Sequence, residues 1–169
     1  MEFRHGSIGL VIDDMNFNFL ESIVETFTND CFHSYCIHKK GIITEALVKE
    51  GVVKGHIRKY YDKKSVSLIL VPRKECFDDD ALDDICNKWT HDIGKQYDKA
   101  NIIGKIFRNS SLFNSKEKRI CSEHTAHGYE LYHKFLEKEP QDVSPNCILR
   151  DALYTNFKYF IPYIIGREK

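Results

Sequence analysis

Residues 31–48 read CFHSYCIHKKGIITEALV, two apolar runs on either side of a basic turn that ends in glycine. Strand-forming residues flanking such a reversal predict a β-hairpin, with 31–37 running out, 38–41 turning and 42–48 returning. Antiparallel partners keep a constant sum of residue numbers. A connection through His38, Lys39 and Lys40 therefore pairs residue 37 with 41, and His33 with Glu45. In that register imidazole and carboxylate stand on one face with Cβ atoms about 5 Å apart. A two-residue turn would bring Thr44 or Ala46 to the shared face instead.

Working outward, residues 7–12 (SIGLVI) form an opening strand, and Phe19, Leu20, Ile23, Val24 and Phe27 recur at helical spacing over 16–28. Gly51 and Gly55 break the chain. SVSLILV, 65–71, is apolar enough for a central strand that Pro72 ends, which brings the sheet to about four strands. The anions Asp78, Asp79 and Asp80 sit at the positive end of a helix whose stripe runs Leu82, Ile85, Cys86, Trp89, Ile93 and which Gly94 stops. Residues 95–119 are polar and read as a long loop. A second helix is expected from Cys121 to Lys138, closed by EPQDVSPN, 139–146. The aromatic tail 148–165 should pack on the body. The expected fold is α+β: one domain, 1–169, with an antiparallel sheet against helices.

Composition narrows the partners. Lys plus Arg equals Asp plus Glu at 25 each, so no global field gathers nucleic acid or an anionic membrane. The N-terminal apolar stretch is too short for a signal segment or a span, and stable membrane insertion is not expected. The six cysteines form no CxxC pair, which suits a reducing, cytoplasmic setting.

Cys121 stands where the polar loop gives way to a helix, in KRICSEHTAHGYE, 118–130. There the free N–H groups of the first turn favour a thiolate and can hold an oxyanion. The competing reading is a small packing cysteine. His33 is the candidate base, because a strand holds a side chain rigidly, and Glu45 can fix its tautomer. A metal reading would use Cys121, His124 and His127, but no second compact Cys/His pair completes a zinc set. Glu123 can bond the first-turn backbone or face solvent, and solvent is the slightly favoured expectation. His38, Lys39 and Lys40 read as a solvated turn, and His5, His56, His91 and His133 receive no role.

Taken in order, HGSIGLVI (5–12), FHSYCIHKKGIITEALVKEGV (32–52), GKQYD (94–98), ICSEHTAHGY (120–129) and VSPNCIL (143–149) resemble the circularly permuted, NlpC-type papain-like proteins, especially their YiiX-like branch. The resemblance implies a papain-like fold with Cys121 as nucleophile, His33 as base and Glu45 as the orienting third residue. It also matches Tyr97 and Asp98 to a tyrosine and aspartate of the family; Tyr97 and Ser122 are candidates for the oxyanion or substrate site. Two positions depart from the pattern: Gly6-Ser7-Ile8 stands where Gly-Asp-Ile is usual, and Ser34 where a small apolar residue usually follows the histidine. The implied activity is cysteine-type hydrolysis of a peptide, amide or acyl-ester substrate, without a cofactor. Two alternatives stay open. One is an acyltransferase related to the lecithin:retinol acyltransferase-like proteins, and the other a silent module that binds a peptide or acyl group.

Overall fold

A computed structural model describes residues 2–13, 33–61, 66–98 and 118–165. Its centre is a six-stranded antiparallel sheet in the order β4-β3-β2-β1-β5-β8. The strands are β1 (Ser7–Asp13), β2 (His33–Ile37), β3 (Ile42–Leu47), β4 (Gly51–His56), β5 (Val66–Pro72) and β8 (Phe160–Ile165). Two short strands, β6 (Gln96–Tyr97) and β7 (Lys118–Arg119), pair in parallel. The described residues also form four α-helices: α1 (Arg58–Tyr61), α2 (Asp79–His91), α3 (Cys121–Tyr129) and α4 (Pro145–Tyr154). The fold is therefore α+β, as the pattern of runs and turns implied.

The sheet is wider than expected. Gly51 and Gly55 do not break the chain but lie in β4, in full register with β3 from Ile42↔His56 to Leu47↔Gly51. Gly51 is required there by its positive φ of 75° and by Lys95 O, which would lie 2.2 Å from a Cβ. The tail contributes the other extra strand, β8, paired along β5 from Ser67↔Ile165 to Pro72↔Phe160. The expected helix at 16–28 lies outside the described residues, as does most of the loop expected over 95–119.

Period-two alternation sorts the side chains onto two faces. Ile8, Leu10, Cys36, Leu68 and Leu70 join Trp89, Tyr129, Phe135 and Phe160 in the larger core, beneath α2, α3 and α4. Val11, Tyr35, Ile37, Ile43, Ile57, Tyr60 and Ile69 form a second cluster on the opposite face. Helix α2 begins as its sequence directs, with Asp78 capping Ala81 N–H at 2.8 Å.

Helix α3 stops at Tyr129, well short of Lys138. Past that point a continued helix would present Phe135 on the stripe with Tyr132, but the chain turns to put Phe135 into the core and leaves Leu131 exposed. Asp151 of α4 holds the turn: its carboxylate accepts from Leu136 N–H at 2.9 Å and from the His133 ring at 2.6 Å. Helical periodicity therefore overran the end of α3, because burial of one aromatic and a distant carboxylate decided where the helix ends. In the last turn of α3 Gly128 allows close approach to α2, since a Cβ there would meet Trp89 Nε1 at 2.1 Å.

Candidate active site

Strands β2 and β3 are bridged by only two residue pairs, Cys36↔Thr44 and Ile37↔Ile43, after which they part. The pairing sum is thus 80 rather than the 78 expected from direct opposition of His33 and Glu45. The wider connection contains a 3-10 turn with left-handed Lys40 and Gly41. A shift of two residues in the sum preserves side-chain parity. His33 and Glu45 therefore still share a face, but diagonally, with His33 Nε2 3.1 Å from Glu45 Oε2.

The start of α3 lies against β2 and β3 beside this parting, with Cys121 packed on Ala46, Val52 and Tyr97. The Cys121 thiol and the His33 ring lie close enough for each to shift the other's titration. Glu45 accepts at Nε2, which leaves Nδ1 as the ring nitrogen available to sulfur. Burial pushes the His33 imidazole down, yet its hydrogen bonds to Cys121 and Glu45, and their charges, lift it to about 9. Burial also pushes the Cys121 thiol up. The bond and charge of His33, with the backbone N–H and hydroxyl of Ser34, outweigh it and bring the thiol below its ordinary value.

Glu45 is itself clamped. It is 1% exposed, and its Oε2 accepts from Tyr60 Oη at 2.7 Å as well as from His33. Its Oε1 is ion-paired with Lys59. Burial opposes its ionisation, but His33 and Lys59 hold the carboxyl down at about 2. Tyr60 stacks on Tyr35 with ring centroids 4.1 Å apart. Gly9, across β1, leaves room for that stack, since a Cβ would lie 2.0 Å from the Tyr35 ring. Neither Lys59 nor Tyr60 was singled out from the sequence, where they sit in a short segment with no periodic pattern.

The remaining candidates are placed as follows. Tyr97 lies half-buried beside Cys121. The Ser122 hydroxyl donates to Val143 O at 2.7 Å and ties α3 to the segment before α4, so only its backbone N–H is left for an oxyanion. Glu123, expected in solvent, is buried and accepts from Arg119 at 3.4 Å. Its neighbour His124 does not join Cys121 in a ligand set. His124 Nδ1 donates to Asp92 Oδ2 at 3.2 Å and its Nε2 meets Thr44 Oγ1 at 3.0 Å, while His127 Nδ1 lies 3.2 Å from the same Asp92 oxygen. Among the described residues no three His, Cys, Asp or Glu side chains are gathered to hold a metal ion.

Asp92 is the hub of that second network. Arg119 Nε donates to it at 3.1 Å, Lys95 pairs with its other oxygen, and it is fully buried. Burial opposes its charge, but His124, His127, Lys95 and Arg119 keep it well below the usual carboxylate range. His38 closes the chain at the far end, bonded to Thr44 Oγ1 at 3.0 Å and edge-on to Trp89. It is therefore not a solvated turn residue, and burial with nearby positive charge lowers it to about 4. It borders a cavity of about 390 Å³ whose walls include Thr44, Lys54, Asp83 and Cys86 but not Cys121.

No protein-family model matches the chain, and no curated protein matches it in sequence. Among the described residues no helix is long and apolar enough to cross a membrane.

Proposed function

We propose that this chain is a thiol-dependent hydrolase of the cysteine-peptidase or amidase type, a permuted papain-like enzyme that cleaves an amide or ester bond. The observation that carries the reading is that His33, bonded to a buried and ionised Glu45, lies beside the Cys121 thiol at a helix start and draws that thiol down. The chain order of these three residues, strand histidine, strand carboxylate, helix cysteine, supports the permuted arrangement. A thiol mechanism also suits a reducing, cytoplasmic setting.

In the reaction, His33 takes the thiol proton and the Cys121 thiolate adds to the acyl carbonyl, whose π electrons move to oxygen. The first-turn N–H groups of α3, including that of Ser122, receive this oxyanion, with Tyr97 alongside. Collapse expels the amine or alcohol, which leaves with the proton held by His33. Water then loses a proton to His33 as it attacks the thioester, and the thiolate departs. Glu45 stabilises the imidazolium throughout and needs no proton of its own.

Turnover of a panel of acyl esters and amides by variants tests this. Cys121→Ala should abolish it, His33→Ala should cost about 10²- to 10⁴-fold, and Glu45→Gln should cost less than either. Wild-type turnover by Cys121→Ala would exclude the thiol mechanism. Loss of activity together with bound zinc in His124→Ala and His127→Ala would replace it with a metal one.

A further inference from the structure

We propose that Ser34 is a further catalytic residue, donating its backbone N–H and, once the thiol ionises, its hydroxyl to the Cys121 sulfur. The inference rests on the thiol reading above and adds a group to its chemistry. It begins with the parting of β2 and β3. The ladder ends at Cys36↔Thr44, although β3 continues in register with β4 as far as Leu47↔Gly51. Ser34, two residues before Cys36 and still paired with Leu10 on β1, thus has no partner in that ladder on its β3 side. Cys121 lies beside this opening against Ala46, a β3 residue beyond the last bridge. Ser34 is near enough to the sulfur there for its N–H and hydroxyl to favour the thiolate.

Counting protons shows how the hydroxyl works. Thr125 Oγ1 lies 3.0 Å from Cys121 O, a carbonyl that can only accept, so the single Thr125 hydroxyl proton is committed there. Thr125 Oγ1 is also 3.0 Å from Ser34 Oγ and 3.5 Å from Cys36 Sγ, and toward both it acts as acceptor. In the resting thiol state the Ser34 proton therefore points to Thr125. When the Cys121 proton passes to His33, sulfur becomes the stronger acceptor, and the Ser34 hydroxyl turns to it by rotation about one bond. Thr125 Oγ1 keeps Cys36 as a donor, so the rotation strands no buried oxygen. Ser34 is fully buried, so this donor meets no competition from bulk water. The other titratable groups at the sulfur are His33, with Glu45 behind it, and Tyr60 and Tyr97.

The test is the pH profile of Cys121 alkylation by iodoacetamide, resolved by site with mass spectrometry, in the wild type, Ser34→Ala and Thr125→Val. Ser34→Ala deletes only the hydroxyl and should raise the midpoint by about one pH unit, a roughly tenfold loss of thiolate below it. Thr125→Val removes the resting acceptor of the Ser34 proton and should leave the midpoint unmoved or lower it. An unmoved midpoint in a folded Ser34→Ala overturns the proposal, and so does a rise in Thr125→Val, which would mean that both hydroxyls act only through packing. The Thr125→Val arm decides the matter if Ser34→Ala fails to fold. A low wild-type midpoint that ignores Ser34→Ala removes Ser34 alone. A wild-type Cys121 that alkylates no faster than exposed Cys76 removes the thiol reading itself.

Discussion

Tyr60 donates its phenolic hydrogen to Glu45 Oε2 over 2.7 Å, the same oxygen that meets His33 Nε2. The carboxylate that orients the histidine is thus oriented in turn by a residue of α1. Tyr60→Phe keeps the stack on Tyr35 and removes only this donor. A hydrogen bond to a charged, buried group is worth roughly 1.5–3 kcal/mol, so denaturant unfolding should register a loss of that order. The Glu45 carboxyl should also titrate above its wild-type position when followed by carbon-detected NMR. A variant as stable as the wild type, with Glu45 unshifted, would show the phenol to be a bystander.

Acid stability should depend on the same carboxylate. Glu45 is held at about 2, below its ordinary 4.5, so between those values the unfolded chain binds the extra proton. The contribution is fully present above about 4.5 and is lost as pH falls toward 2. His33 runs the other way: raised to about 9 from 6.5, it contributes fully below 6.5 and loses that contribution as pH rises through 9. Denaturant unfolding across pH should show both slopes, and Glu45→Gln should flatten the acid one. An unchanged acid slope in that variant contradicts the assignment.

Two glycines are fixed by neighbours rather than by turns. Gly9→Ala would drive a methyl into the Tyr35 ring and Gly128→Ala one into the Trp89 indole. Overpacking of this kind costs about 1–3 kcal/mol, and each should lower the melting temperature by several degrees. Gly9→Ala should in addition slow turnover, because the displaced stack carries Tyr60. Gly128→Ala, on the far end of α3 from Cys121, should spare it.

Asp92 concentrates four cationic or histidine partners on one buried carboxylate. Asp92→Asn keeps the shape and removes the charge, taking from buried Arg119 the carboxylate at 3.1 Å and leaving Glu123 at 3.4 Å. A loss of roughly 3–5 kcal/mol is expected from denaturant unfolding. Lys95→Met, at a side chain more open to solvent, should cost much less. Equal costs would mean that the network's strength lies elsewhere than in its buried members.

The shared face of His33 and Glu45 is legible in the sequence because parity survives any even change of hairpin register. Their diagonal offset is not, because it depends on left-handed Lys40 and Gly41 inside a turn that any basic loop resembles. Gly51 and Gly55 look like breakers in one dimension. They are strand residues because β4 pairs in full register with β3, and of the two only Gly51 is demanded by its surroundings, where Lys95 O would crowd a Cβ. The inward turn of His38 likewise depends on Thr44 and Trp89, one close in sequence and one remote. The Tyr60–Lys59 clamp and the Asp92 hub left no signal for the same reason. Their partners are assembled by the fold, from segments whose local pattern is unremarkable.

The central claim is that Cys121 is an activated thiol, and competitive alkylation near neutral pH with site-resolved mass spectrometry tests it most directly. Among the described cysteines, burial pushes Cys36 well up and Cys86 to about 12, so both should stay silent. Cys147, opposed by burial but lowered by Ser144 and Lys138, is the internal comparison, a favoured thiol without a histidine. The account predicts that Cys121 is modified first, ahead of Cys147 and exposed Cys76, and that His33→Ala removes that lead. Labelling of Cys121 at or below the rate of Cys76, or a lead that survives His33→Ala intact, would contradict it.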